Sequence, residues 1–374
     1  MLIKPTFSYL TDIYFELGAL KMLPDLLNKY RVSRPLIITD KGLIKLGIIE
    51  RMGIDYSGVY DNVETNPTEK MVLEALEIYR EFQCDSIIAI GGGSPIDLAK
   101  CVAILINHPP PLEQYAIVHN GISKITSAIP PFIAIPTTSG SGSEVGRAAL
   151  VTVEGFGKLG FLSNHLLPTL TICDPELTIE LPPFLTAGTG MDAISHCVET
   201  FYSPRYNPVA DAIALDGLER GYNNIIKATR NGTDRHARSE MMMCSLLGGL
   251  AFQKGLGAVH SLSHPLGALT EKRLHHGTLN AIFLPVVLRF NYDFCKEKMQ
   301  AIADRLKIKE ASELPGIFTK LNQELRLPIR LRELGLTKDD LIPLAQKAKE
   351  DHCTPTNPRV MSVEDCLELY LEAW

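Results

Sequence analysis

The sequence predicts an α/β domain, a parallel sheet flanked by helices, followed by an all-α domain. Three observations carry that expectation. Short apolar runs alternate with helical spacing over the first 180 residues or so, as in a buried parallel sheet. A triple glycine directly follows one of those runs. Beyond Thr186 the strand signals stop and helical periodicity continues to the end. A chain of 374 residues exceeds one ordinary core, so two domains are expected, an α/β domain over 1–180 and a helical one over 181–374.

Taken in order, residues 1–15 alternate loosely, as an opening strand or hairpin. Leucines at 20, 23, 26 and 27 have helical spacing up to Tyr30. The run PLIITD at 35–40 reads as a buried strand, and helical pattern resumes from Leu43 to about Met52. A second strand is expected over 56–60. Asn66-Pro67-Thr68 opens a helix to about Gln83, with Asn66 or Thr68 as its cap. The run at 85–90 is another buried strand and leads into Gly91-Gly92-Gly93-Ser94, with a helix starting near Pro95. A strand over 132–136 precedes TTSGSGSE, residues 148–153 and 156–162 read as a hairpin around Glu154-Gly155, and Cys173-Asp174-Pro175 reads as a turn. Helical spacing then covers 186–203, 208–229, 234–253, 257–270, 278–291, 295–306, 311–325, 338–349 and 362–372.

Composition narrows the function classes. Hydrophobic content of 45% with 21% charged residues is that of a soluble globular protein. A net charge of −6 argues against nucleic acid or an acidic membrane as partner. No apolar stretch is long enough to span a bilayer, and the opening residues do not resemble a signal peptide. The eight cysteines are scattered singly, without CxxC pairs, which suits reduced thiols and a cytoplasmic location.

Chemistry concentrates between Gly188 and Pro285. This window holds Asp192, His196, Glu199, His260, His264, His275 and His276, and with His236 it contains six of the ten histidines in the chain. Asp192/His196 and His260/His264 are each four apart, which puts each pair on one helix face. Their neighbours are mostly Ala, Gly, Leu and Val, where ionisable groups are costly unless paired or metal-bound. A carboxylate with several imidazoles suits a borderline divalent ion such as Fe(II) or Zn(II).

A second group of residues suits a dinucleotide. Strand, triple glycine and helix N-terminus together let backbone N–H groups approach a pyrophosphate. Asp40, ending an earlier strand, is placed either to accept from an adenosine ribose and favour NAD over NADP, or to cap the next helix. The hydroxyl-rich loop after Pro136 suits phosphate and ribose contacts, and equally an ordinary solvated loop. Asp97, Lys158 and Glu199 are candidates for supporting roles, with capping or surface duty as the alternative.

Several of these motifs resemble the iron-containing (group III) alcohol dehydrogenases: TDKG at 39–42, NPT at 66–68, GGGSPIDLAK at 91–100, PTTSGSGSEV at 136–145, DPELT at 174–178, TAGTGMDAISHCVE at 186–199, HSLSHPLGA at 260–268, HHGTLNA at 275–281 and TNP at 356–358. The resemblance implies a dehydroquinate synthase-like architecture, NAD, Fe(II) or Zn(II), a small alcohol or aldehyde substrate, and a homodimer. By position it implies Asp192, His196, His260 and His276 as metal ligands, with His264 as a catalytic proton relay. It implies cofactor contacts from Asp40, Asn66, Gly92, Gly93, Ser94, Asp97, Thr137, Thr138, Ser143, Lys158 and Leu177.

Within the family, KLGFLSNHLLP at 158–168, FQKGLG at 252–257 and LHHGTLNA at 274–281 are similar to the bacterial 4-hydroxybutyrate dehydrogenases. The implied reaction is NAD-linked oxidation of 4-hydroxybutyrate to succinate semialdehyde, with general alcohols or propane-1,3-diol as alternatives. Lys254, Arg147 and His275 are the cationic candidates for a substrate carboxylate, with Arg273 behind them. Rivals are a zinc glycerol dehydrogenase, a metal-free maleylacetate reductase, and a metal-dependent hydrolase or lyase without NAD.

Overall fold

Six short strands form the main sheet: β1 (Asp12–Phe15), β2 (Pro35–Ile38), β3 (Gly58–Tyr60), β4 (Ser86–Gly91), β5 (Phe132–Pro136) and, after a hairpin, β8 (Leu170–Cys173). They lie in the order β1-β8-β5-β4-β2-β3, each pair parallel. The hairpin is β6 (Ala148–Val153) with β7 (Gly157–Leu162), paired antiparallel around the expected Glu154-Gly155 turn. The computed structural model describes residue 9 and residues 11–374. The rest of the expected opening strand, over residues 1–8 and 10, lies outside them.

β2, β4 and β5 read as unbroken apolar runs because both faces are covered. Alternate side chains enter different cores. Leu36, Ile38, Ile87, Ala89, Phe132 and Ala134 pack in one cluster, and Ile37, Ile88, Ile90, Ile133 and Ile135 in another. The register pairs Ile38 with Ala89 and Gly91 with Pro136. The carboxyl ends of β2, β4 and β5 therefore share one edge, where Asp40, Gly92 and Thr137 follow.

Three details of the sequence reading change. The turn expected at 173–175 ends a strand, β8, which is only four residues long and follows Pro168 closely. The single helix expected over 43–52 breaks at Gly47, whose φ is 69°, into α2 (Lys41–Lys45) and α3 (Ile48–Met52); α1 (Leu23–Tyr30) precedes them. Thr68, not Asn66, caps α4 (Glu69–Glu81), and Asn66 has a left-handed φ of 60°. The helix after the glycines is α5 (Gly93–Asn107).

Contacts divide the chain into a unit over Tyr9–Ile179 and a helical unit over Glu180–Trp374. The second contains α6 (Pro183–Tyr202), α7 (Pro208–Arg230), α8 (Arg235–Ala251), α9 (Ala258–Gly267), α10 (His276–Asn291), α11 (Lys296–Arg305), α12 (Leu314–Glu324), α13 (Lys338–Leu341), α14 (Leu344–Glu350) and α15 (Val363–Ala373). The helix expected over 338–349 is broken around Pro343 into α13 and α14. From Met191 to Tyr202 every residue of α6 is buried, which makes it the central rod of this unit. Among the described residues no single helix is long and apolar enough to cross a membrane.

Candidate metal centre

α6, α9 and α10 bring four side chains together. Gly188 and Gly277 permit it, because a Cβ on Gly277 would lie 2.1 Å from the Gly188 carbonyl oxygen. The start of α10 thus packs backbone to backbone on α6, and His276 comes beside Asp192. From Asp192 Oδ1 the distances are 3.8 Å to His196 Nε2, 3.6 Å to His260 Nε2 and 3.6 Å to His276 Nε2. The rings of His196 and His260 stack at 4.6 Å between centroids. Asp192, His196 and His260 are all buried.

Two neutral or anionic neighbours organise this group. Glu199, fully buried one turn beyond His196, accepts from His260 Nδ1 at 2.5 Å and from the Val259 N–H at 2.7 Å. That bond holds the His260 proton on Nδ1 and turns Nε2 toward Asp192. Asn280 Nδ2 lies 2.7 Å from Asp192 Oδ1, 3.2 Å from His260 Nε2 and 3.1 Å from His276 Nε2. The amide nitrogen thus stands against three converging ligand-type atoms and donates to the Asp192 carboxylate.

The electrostatics favour a cation among these atoms. Burial alone would raise the Asp192 pKa, but His196, His276 and His260 pull its carboxyl well below the usual range. Burial alone would lower His260, yet its bonds to Asp192 and Glu199 lift it to about 9. Ligands at about 2.0–2.2 Å from a four-coordinate ion stand about 3.3–3.6 Å apart. The observed edges from Asp192 need a contraction of only a few tenths of an ångström. Asp192, His196 and His260 each offer a donor atom within 4.8 Å of the others, and His276 Nε2 approaches the same carboxylate oxygen, a donor set that suits a borderline divalent ion.

His264 lies one turn beyond His260 on α9. Its Nδ1 is 2.9 Å from Asp351 Oδ2, and its ring stacks on His276 at 5.4 Å between centroids. Burial lowers its pKa despite Asp351. A neutral ring donating from Nδ1 leaves Nε2 as a proton acceptor.

Lys254, His275 and Arg147 each have local partners in the structure. Lys254 is buried, with Nζ bonded to the Phe201 carbonyl at 3.0 Å and to the Asp211 carboxylate, which Lys298 also contacts at 2.7 Å. Its charge is committed to tying α6, α7 and α11 together. His275 is the N-cap of α10 and accepts from the Thr278 N–H at 3.3 Å, while burial lowers its pKa. It is a neutral capping imidazole, not a cation. Arg147 belongs to the α/β unit, where it donates to Asn164 Oδ1 at 3.2 Å. Arg273 takes a left-handed φ of 47° just before α10.

In the α/β unit, Gly92, Gly93, Ser94, Thr137 and Thr138 collect where β4 and β5 end. Gly92 is the N-cap of α5 and supplies no side-chain cap to its first-turn N–H groups. A Cβ on Gly93 would lie 2.8 Å from Ser141. This bare helix N-terminus suits phosphate. Asp40 Oδ1 caps α2, accepting from the Gly42 and Leu43 N–H groups at 2.8 and 3.0 Å. Asn66 Oδ1 accepts from Lys158 Nζ at 3.0 Å. Leu177 is buried in the apolar cluster that includes Leu20 and Ile135.

Asp97 and Ser143 are held by each other and by a lysine that the sequence reading did not single out. Ser143 Oγ donates to Asp97 Oδ1 at 2.6 Å, and Asp97 Oδ2 accepts from the Leu150 N–H at 3.0 Å. Lys100, fully buried, donates to Ser143 O and Oγ, Gly146 O and Ala148 O at 2.7–2.9 Å. Burial lowers its pKa to about 8 against the pull of Asp97 and Glu144. These bonds shape the 143–148 loop, so Asp97 and Ser143 build the loop from within. Lys100 closes the GGGSPIDLAK motif, which was the available signal. Asn280 lies within the HHGTLNA motif, which was its signal, while Asp351 had none beyond residue type.

Comparison with known proteins gives the family. Residues 11–175 match the family model for iron-containing alcohol dehydrogenase, and residues 186–374 match the C-terminal model of the Fe-containing alcohol dehydrogenase family. A 4-hydroxybutyrate dehydrogenase of Cupriavidus necator is 47% identical over 369 residues, 96% of each chain. A solved 1,3-propanediol oxidoreductase superposes with a TM-score of 0.93 at 34% identity, covering 99% of this chain and 100% of that one. A sulfoacetaldehyde reductase from Bifidobacterium kashiwanohense, solved in complex with NAD+, has a TM-score of 0.90 at 25% identity, covering 99% of both. With both halves matched and a relative this similar along nearly its whole length, the chain belongs to the iron-containing alcohol dehydrogenase family and is an alcohol dehydrogenase.

Proposed function

We propose that the protein catalyses the reversible NAD-linked oxidation of 4-hydroxybutyrate to succinate semialdehyde. The observation that carries the substrate is the 47% identity to a 4-hydroxybutyrate dehydrogenase over 96% of both chains. Asp192, His196, His260 and His276 would hold Fe(II), or Zn(II) when that ion is loaded instead. The ion supplies Lewis acidity, which lowers the pKa of an alcohol hydroxyl.

The remaining steps fall to the side chains. Glu199 fixes the His260 tautomer, and Asn280 restrains Asp192 through its amide. Nε2 of His264 takes up the hydroxyl proton, while Asp351 stabilises the resulting imidazolium through Nδ1. In the other unit the N-terminus of α5, with Gly92, Gly93 and Ser94, grips the cofactor pyrophosphate. Thr137 and Thr138 flank it, and Lys100 with Asp97 keeps the neighbouring loop in place. A nicotinamide cofactor, when bound, would supply the hydride acceptor for the alcohol carbon.

A second reading, general oxidation of short alcohols or propane-1,3-diol, draws on the 1,3-propanediol oxidoreductase likeness. A panel with NAD and metal-reconstituted protein separates the two. Under the first reading kcat/KM for 4-hydroxybutyrate exceeds that for butan-1-ol and propane-1,3-diol by at least about tenfold, roughly 1.4 kcal/mol of discrimination. Comparable values would remove 4-hydroxybutyrate as the specific substrate.

A further inference from the structure

Beside the cluster on Asp192 lies a second convergence of ligand-type side chains, made by α9 and the turn after α14. His264, Asp351, His352 and Cys353 each offer one donor atom, and all these atoms lie within 4.8 Å of one another. Asp351 Oδ2 is approached twice, by His264 Nδ1 at 2.9 Å and by His352 Nδ1 at 3.7 Å. The His264 and His352 rings lie nearly parallel, 10° apart, with centroids 5.4 Å apart. Asp351 Oδ1 accepts from the Cys353 N–H at 2.9 Å, which folds the turn so that thiol and carboxylate stay together.

An orienting role for Asp351 toward His264 accounts for two of these groups. It does not account for His352 lying over the same ring with Nδ1 turned to the same oxygen, nor for the thiol. The set contains one carboxylate, two imidazoles and a sulfur, the mixture that borderline divalent ions select over hard ones. It is also organised for capture. His264 and Cys353 are buried, Asp351 is half-buried, and His352 is exposed and stacked on His264. A tetrahedral ion with bonds of about 2.0–2.3 Å needs donors about 3.3–3.8 Å apart. The widest separation therefore has to close by at most about 1.5 Å.

We propose that His264, Asp351, His352 and Cys353 form a second metal site, for Zn(II) or a cation of similar softness, adjacent to but distinct from the Asp192 cluster. Binding replaces the Nδ1 proton of His264 and the thiol proton of Cys353, both of which pass to solvent, so the metal-filled state and the His264–Asp351 proton relay are mutually exclusive and occupancy would suppress the relay.

The two sites differ in chemistry, and the test uses that. The Asp192 cluster contains no sulfur, so a thiolate-to-metal charge-transfer band reports only the second site. Metal-free protein is titrated with Co(II), followed by absorbance, and in parallel with Zn(II), followed by equilibrium dialysis and elemental analysis. The expected result is two equivalents in the wild type, with the charge-transfer band. Cys353→Ser and His352→Ala should each bind one equivalent. Cys353→Ser should also lack the band. Asp192→Asn should lose the other equivalent and keep the band, so failure of the Asp192 site is read separately. One equivalent without a band in the wild type would overturn the proposal. So would a band that survives Cys353→Ser, which would belong to another thiol.

Discussion

Glu199 accepts from His260 Nδ1 at 2.5 Å although 61 residues separate them, and neither side chain reaches solvent. A carboxylate beneath an imidazole fixes its tautomer and raises the basicity of the opposite nitrogen. Replacement by Gln turns one acceptor into a donor facing Nδ1–H or the Val259 N–H. Glu199→Gln should weaken metal binding about 10–100-fold, measured by chelator competition. An unchanged affinity would deny the carboxylate that role.

Metal affinity should depend on pH through the same imidazole. In the metal-free protein His260 has a pKa lifted to about 9, so below that pH an entering ion displaces its proton. Apparent affinity should fall about tenfold per unit as pH drops below about 9, with proton release visible by calorimetry in buffers of different ionisation enthalpy. The stability sign is opposite. A raised imidazole pKa stabilises the metal-free fold below about 6.5, and that contribution disappears as pH rises through about 9. Metal-free protein should therefore lose stability on the alkaline side while metal binding strengthens.

Lys100 anchors the 143–148 loop with four bonds, three of them to carbonyls. Lys100→Met leaves those acceptors and the Asp97 carboxylate uncompensated. Loss of a buried charge partner costs about 3–5 kcal/mol, which denaturant unfolding should show. The KM for NAD should rise more than kcat falls, because the loop adjoins the proposed cofactor grip.

Glu144 is buried, and burial raises its pKa to about 7. Between about 4.5 and 7 the folded protein therefore holds more protons than the unfolded chain, and stability falls as pH rises through that window. A shift of this size corresponds to roughly 3–3.5 kcal/mol at most. Glu144→Gln should flatten the profile, with its largest relative gain at pH 8. Parallel profiles for the two proteins would show that the carboxyl does not titrate there.

Lys254 gives a discriminating substitution. Its ammonium bonds Asp211 and the Phe201 carbonyl inside the helical unit. Lys254→Ala should leave the KM for 4-hydroxybutyrate within about twofold while lowering stability by about 2 kcal/mol, the scale of a lost hydrogen bond to a charged group. A selective rise in KM for the acid would return this lysine to substrate recognition.

Local patterning carried much of the architecture. Buried parallel strands are written as consecutive apolar residues, and a triple glycine after one of them marks a helix N-terminus stripped of side chains. The i, i+4 spacing of Asp192/His196 and of His260/His264 assigned each pair to one face, because helix geometry alone determines that. Partners distant in the chain were decided by packing. His275 and His276 are adjacent, yet one caps α10 and the other reaches Asp192, a difference created by the contact of Gly277 with Gly188. The charge on Lys254 looked available until α7 and α11 brought Asp211 and Lys298 to it. Asp351, His352 and Cys353 gained meaning only when α9 placed His264 against them. The helical repeat and the pleat are properties of neighbouring residues and can be read along the chain. Which of two faces meets a third element depends on how whole helices pack, and no short window of sequence contains that.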